Sequence, residues 1–218
     1  MGWNTAIDAY CERVDPSFWA EPVNAFTNFA FLLAAGVAFR AARREDRIDP
    51  AIGLLVALMV AIGIGSFLFH TVATRWAALA DTTPITLFIL TYFVLIMRRG
   101  FGLRWLWALA FGLAFLPASA AIQVLARALV GGLLGGSTGY LPALLALLVC
   151  GGLLLWQGWP GGRGLLLGAA LFAVSLTFRT LDRPLCDLLP LGTHFVWHLL
   201  NGSLLGWLVY VMTRMRPV

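Results

Sequence analysis

Apolar residues come in long blocks, each closed by a short polar, glycine-rich or proline-containing stretch. A helix needs about 20 apolar residues to cross the hydrocarbon of a bilayer. Blocks of that length fall at 22–42, 50–70, 78–98, 103–125, 139–159, 163–181 and 193–213. They predict an all-α polytopic membrane protein, a seven-transmembrane-helix bundle. The breaks are chemically sensible. Residues 42–50 (A-R-R-E-D-R-I-D-P) make a charged turn ending at Pro50, and Arg98, Arg99 and Gly100 end the third block. Gly131 to Gly139 reads as a glycine-rich connector, and W-P-G-G-R around Pro160 as a tight turn. The fourth block is the weakest, because Pro117, Ser119 and Gln123 interrupt it.

Composition agrees. The chain is 61% hydrophobic and 11% charged, where a soluble domain carries about 25% charged residues. No stretch could fold separately in water, so residues 1–218 are read as one domain. Its first 21 residues carry Asp8, Glu12, Asp15 and Glu21, four of the ten acids. They lack the basic start of a cleavable signal peptide, and none is expected. The net charge of +5 comes entirely from arginine. In a soluble protein that excess would point to nucleic acid; here arginines mark cytoplasmic loops, and no nucleic-acid partner is expected.

Arginine bias orients the bundle. With the N-terminus outside, the inner segments hold ten arginines: Arg40, Arg43, Arg44, Arg47, Arg98, Arg99, Arg104, Arg163, Arg214 and Arg216. The outer segments hold five: Arg13, Arg75, Arg127, Arg179 and Arg183. The expectation is N-terminus outside, C-terminus cytoplasmic. That topology brings scattered polar residues to one layer. Ser66 and His70 end the second span near the outer face, Asp81 opens the third, and His194 and His198 open the seventh. The acidic segment 1–21 is extracytoplasmic with them.

Ionisable groups inside hydrocarbon are costly and are functional candidates by default. His194 and His198 are four residues apart, so both project from one helix face. With His70 they make the three-imidazole set of a catalytic zinc, which keeps one position open for a water of pKa near 7. Ser66 shares the helical face of His70 and could hydrogen-bond an oxyanion. Asp81 could relay a proton to a leaving amine or orient a histidine. Blander readings stand beside these. The histidines could be interfacial side chains, Ser66 a small packing residue beside Gly63 and Gly65, and Asp81 an N-cap before Thr82, Thr83 and Pro84.

Five stretches carry a resemblance: G-S-F-L-F-H (65–70), D-T-T-P (81–84), G-T-H-F-V-W-H-L-L-N-G (192–202), C-E-R (11–13) and A-E-P-V-N-A-F-T-N (20–28). Together, in this order, the chain resembles the alkaline ceramidase family. That family lies within a superfamily of seven-span metal-dependent lipid hydrolases that also includes adiponectin-receptor-like proteins. The resemblance implies zinc on His70, His194 and His198, with Ser66 and Asp81 as catalytic partners. It implies hydrolysis of the amide bond of ceramide to a fatty acid and a sphingoid base. Hydrolysis of a membrane lipid in general is the broader implication. It also implies a calcium site in the N-terminal segment, where Glu12 and Glu21 match best. Asp8 is displaced by one position, an expected Asn is absent with Asp15 as its candidate replacement, and the stretch between Cys11 and Glu21 is two residues shorter than in the animal enzymes. The alternative is a solvated acidic lead-in.

Cys11 and Cys186 both fall on the outer side of this topology, where an oxidising compartment would let them pair. The family is similar in linking these two regions. The alternatives are two free thiols or zinc ligation by Cys11. Cys150 lies within the fifth span and reads as a buried apolar residue. Arg179, Asp182 and Arg183 are expected to pair with one another, the alternative being contact with a polar lipid headgroup. Rival functions are a metal-containing receptor or signalling protein with little turnover, a haem-binding electron carrier and a rhomboid-like serine protease. The small size and the lack of a targeting sequence point to a bacterial inner membrane, with the active site toward its outer face.

Overall fold

A computed structural model describes residues 2–215; Arg216, counted above among the inner arginines, lies outside them. Among the described residues the structure is helical, apart from an isolated antiparallel bridge between Ala6 and Thr74. The helices are α1 (Pro22–Thr27), α2 (Phe29–Arg44), α3 (Pro50–Val72), α4 (Arg75–Leu95), α5 (Trp105–Leu134), α6 (Leu141–Trp156), α7 (Gly161–Leu181) and α8 (His194–Thr213). A π turn at Ile96–Gly100 extends α4. Among the described residues six helical stretches are long and apolar enough to cross a membrane, one of them the 52-residue run Trp105–Trp156. That run holds α5, a 3-10 turn at Gly135–Tyr140, and α6. The turn lies beside Arg179, while Leu154 near the far end of α6 lies against Gly100.

Two expectations about this region are corrected. The helix of the fourth block does not end near Leu125 but runs through Pro117 for 30 residues to Leu134. In a bilayer, neighbouring helices and local adjustments accommodate the carbonyl that an internal proline leaves without its donor. The connector therefore begins at Gly135, whose φ of +50° ends the helix, rather than at Gly131.

The exterior is lipid-like. Helix α5 buries only Ala108, Gly112 and Ala126, whereas Leu133 is 78% exposed and Leu106, Leu113 and Leu129 are similar. Exposed apolar area on this scale marks a surface whose solvent is not water. A helical backbone satisfies its own polar groups, as hydrocarbon requires. The chain is an integral membrane protein.

Hydrogen bonds gather at the two ends of the bundle. At one end Asp49 accepts the Ala51 and Ile52 N–H groups, capping α3, and also meets Arg99 at 2.6 Å. Arg47 donates to the Thr213 carbonyl, and Arg214 pairs with Glu45. At the other end the chain reverses from α3 into α4 through Ala73, at φ +47°. The N-terminal segment straps this reversal: Ile7 N–H donates to the Ala73 carbonyl and Arg75 N–H to the Thr5 carbonyl. The C-terminus of α3 and the N-termini of α4 and α8 all open on this second end.

Candidate functional site

Three buried histidines meet where those ends converge. His70 comes from the last turn of α3, and His194 and His198 from the first turns of α8. Each offers a ring nitrogen, and the three nitrogens lie within 4.8 Å of one another. They are the one cluster of histidine, cysteine or carboxylate ligands close enough to hold a metal ion among the described residues. The Nδ1 of His194 and the Nε2 of His198 are buried without a hydrogen-bond partner. Orphaned buried polar atoms are uncommon and call for an explanation, such as an ion. The donor set and its orphans therefore fit a metal.

Partners behind the rings fix which nitrogen faces the cluster. Glu21 Oε2 is 2.6 Å from His70 Nδ1. Burial works against the Glu21 anion, yet the His70 and Arg13 hydrogen bonds hold its carboxyl below the ordinary range. A carboxylate can only accept, so His70 Nδ1 carries the proton and Nε2 keeps its lone pair. The Thr27 hydroxyl gives its proton to the Val23 and Asn24 carbonyls, so its oxygen accepts from His198 Nδ1 at 2.9 Å. That frees His198 Nε2. Such outer partners set ring orientation and raise ligand basicity. Asp182 anchors the start of α8: its carboxylate accepts the N–H groups of Thr193, His194 and Cys11.

Ser66 and Asp81 face the cluster from α3 and α4. The Ser66 hydroxyl bonds the Asp81 carboxylate, whose Oδ1 is buried without a partner. Close helix packing permits this. A Cβ added at Gly65 would lie 2.1 Å from the Ala80 carbonyl oxygen. Residue 84 is proline and has no N–H to bond that carbonyl four residues back. The small-residue role considered for Ser66 thus belongs to Gly65.

Below the cluster runs a mainly apolar, partly open cavity. Ser66, Asp81, His194 and His198 line its polar end, and Phe93, Ile96, Phe115 and Leu208 line the apolar depth. Tyr10 closes the top: its ring stacks on His194, with centroids 3.5 Å apart. Burial pushes its phenol above the usual value. Arg179 donates to the Tyr10 hydroxyl and lies over the Tyr140 and Trp197 rings. The expected pairing of Arg179, Asp182 and Arg183 does not form. Asp182 serves α8, and Arg183 reaches Asp8.

Cys11 and Cys186 form a disulfide that ties the N-terminal segment to the loop before α8, and Cys150 is buried and free. The four acids assigned to calcium do not converge. Asp8 meets Arg183, and Glu12 accepts the Val23 and Asn24 N–H groups at the start of α1. Asp15 accepts the Ser17 N–H, and Glu21 serves Arg13 and His70. Burial pushes the Glu12 carboxyl up, and the Ser17 hydrogen bonds hold Asp15 down. The sequence reading missed Tyr10 and Thr27, gave Asp182 to an arginine rather than to α8, and did not give Glu21 its histidine-orienting role. One signal was present: Glu21, Asn24 and Asn28 recur at helical spacing on one face, an odd place for polar groups beside a span.

Comparison with known proteins adds one match. No curated protein matches the chain. A sequence model of the family described as Ceramidase matches residues 3–133, which include Tyr10, Cys11, Glu21, Ser66, His70 and Asp81 and leave α8 beyond the match. With well over half its length matched and this site inside the bundle, the chain belongs to the ceramidase family.

Proposed function

We propose that this protein is a zinc-dependent intramembrane hydrolase that cleaves the amide bond of a ceramide-like N-acyl lipid, giving a fatty acid and a sphingoid-type amine. The observation that carries the reading is the three-histidine cluster beside Ser66 and Asp81, at the polar end of a long apolar cavity. The family match supports the amide-hydrolase class.

His70, His194 and His198 would hold the zinc. When bound, zinc supplies Lewis acidity, polarising a carbonyl and lowering the pKa of water to about 7. The chain's own residues do the rest. The apolar cavity takes the acyl chain and excludes water. Asp81 Oδ1, buried and unpartnered, accepts the proton of the attacking water and passes it to the departing nitrogen, which must be protonated to leave. Ser66 holds Asp81 in the free enzyme and turns its hydroxyl to the carbonyl oxygen once substrate is seated. Tyr10 and the Cys11–Cys186 bridge keep the top closed, so the lipid enters sideways from the bilayer.

In this account α5 and α6 cross the membrane separately, giving seven passes, with the N-terminus outside and the C-terminus cytoplasmic. The site then faces the outer leaflet of a bacterial inner membrane. The test is turnover of defined ceramides by purified protein in detergent. Equal release of fatty acid and free amine, abolished in Asp81→Asn, is expected. Release that persists in Asp81→Asn, or no release from any N-acyl lipid by zinc-loaded protein, would overturn the mechanism.

A further inference from the structure

The N-terminal segment contains a buried cation-binding shell that is filled by the protein itself. The Arg13 side chain is 4% exposed. Its Nε donates to Glu21 Oε1 at 2.5 Å. Its Nη1 donates to the carbonyls of Asp15 and Ser17, at 3.1 and 3.2 Å, and its Nη2 to the carbonyl of His70, at 3.0 Å. One carboxylate and three backbone carbonyls are the donors a hard divalent cation would choose. Here a guanidinium takes all four, through a planar fork whose donors fit such an array. The other acids of the segment are engaged elsewhere, Glu12 with α1 and Asp8 with Arg183.

Arg13 also reaches the metal-binding end of α3 twice. It holds the His70 carbonyl directly, and it holds the Glu21 carboxylate whose other oxygen orients the His70 ring. A side chain that fixes both the backbone and the ring partner of one ligand governs where that ligand points.

We infer that Arg13 is the resident cation of this segment, a positioning residue that sets His70 through Glu21 and makes the enzyme independent of calcium. The inference rests on the zinc reading of the histidine cluster. The short connection from Cys11 to Glu21 suits it, since it folds the Asp15 and Ser17 carbonyls onto Arg13 rather than leaving them to close around a free ion.

The experiment uses the full chain in detergent. Calcium and zinc content are measured by mass spectrometry, and melting temperature and turnover are followed with calcium chloride or with EGTA. The native protein is expected to hold zinc but no stoichiometric calcium, and to melt and turn over equally under both conditions. Arg13→Met, similar in length and uncharged, is then compared with native protein for zinc retention against a chelator. Cobalt substituted for zinc reports ligation by His70 through its visible bands. Zinc loss at least ten-fold faster, with altered cobalt bands and a native elution profile and helix content, is expected. Bound calcium, or a melting temperature lowered by EGTA, overturns the inference. So does Arg13→Met that keeps native zinc retention and cobalt bands. If that variant does not fold, the calcium arm on native protein still decides. Native protein without zinc would instead sink the zinc reading itself.

Discussion

Gly65→Ala is the smallest change that separates the two helices carrying Ser66 and Asp81. Its new Cβ would sit 2.1 Å from the Ala80 carbonyl oxygen and 3.1 Å from the Asp81 nitrogen. Carbon and carbonyl oxygen normally meet no closer than about 3.3 Å, so α3 and α4 must part by about 1.2 Å. Overpacking of this kind costs about 1–3 kcal/mol. The Ser66–Asp81 hydrogen bond lies one residue further along each helix and stretches with the gap. A 1 Å misplacement of catalytic groups costs roughly 100-fold in rate. The expected outcome is a folded protein with a lowered melting temperature, zinc still bound, and turnover of a fluorescent ceramide down about 100-fold. Gly53→Ala is the control, because nothing lies within 4 Å of its added Cβ on the same helix. Native turnover in Gly65→Ala would refute the placement of Ser66 against Asp81 as a catalytic pair.

Three further outcomes follow from the same geometry. Glu21→Gln removes the carboxylate behind His70 and should weaken metal affinity about 10- to 100-fold, measured by chelator competition; unchanged affinity would show that the ring is held by other means. Leu208→Trp fills the deep end of the cavity and should shift preference toward shorter acyl chains in a competition assay, whereas an unchanged chain profile would place the acyl chain elsewhere. Cys11→Ser opens the bridge to Cys186 and should cost about 2–4 kcal/mol, seen as a lower melting temperature that added reductant does not lower further; an unshifted melt would argue against a structural role.

Long-range organisation was legible in the sequence because it depends on few variables. Span length and arginine bias placed Ser66, His70, Asp81, His194 and His198 in one layer, and the structure brings them to one end of the bundle. Pro117 weakened the fourth block because proline breaks helices in water, while a packed bundle in lipid tolerates it inside α5. The supporting residues were harder to see. Asp182 is one loop away from the helix it caps, and no local pattern ties an acid to amides eleven residues on. Arg13 stands in an acidic stretch where the carboxylates drew attention to a metal, and only folding reveals that its own charge meets the Glu21 carboxylate and the Asp15 carbonyl. Glu21 stood out for its charge, but its contacts with Arg13 and His70 are set by folding rather than by any local pattern. Thr27 and Tyr10 act through ring contacts that spacing does not encode.

Metal content tests the central claim most directly. The native chain is purified without chelators, beside His70→Ala, His194→Ala and His198→Ala, and each is analysed by mass spectrometry. One zinc per native chain, lost from each variant together with ceramide turnover, is what the three-histidine site requires. Native protein with no zinc, or variants that keep both zinc and turnover, would contradict it.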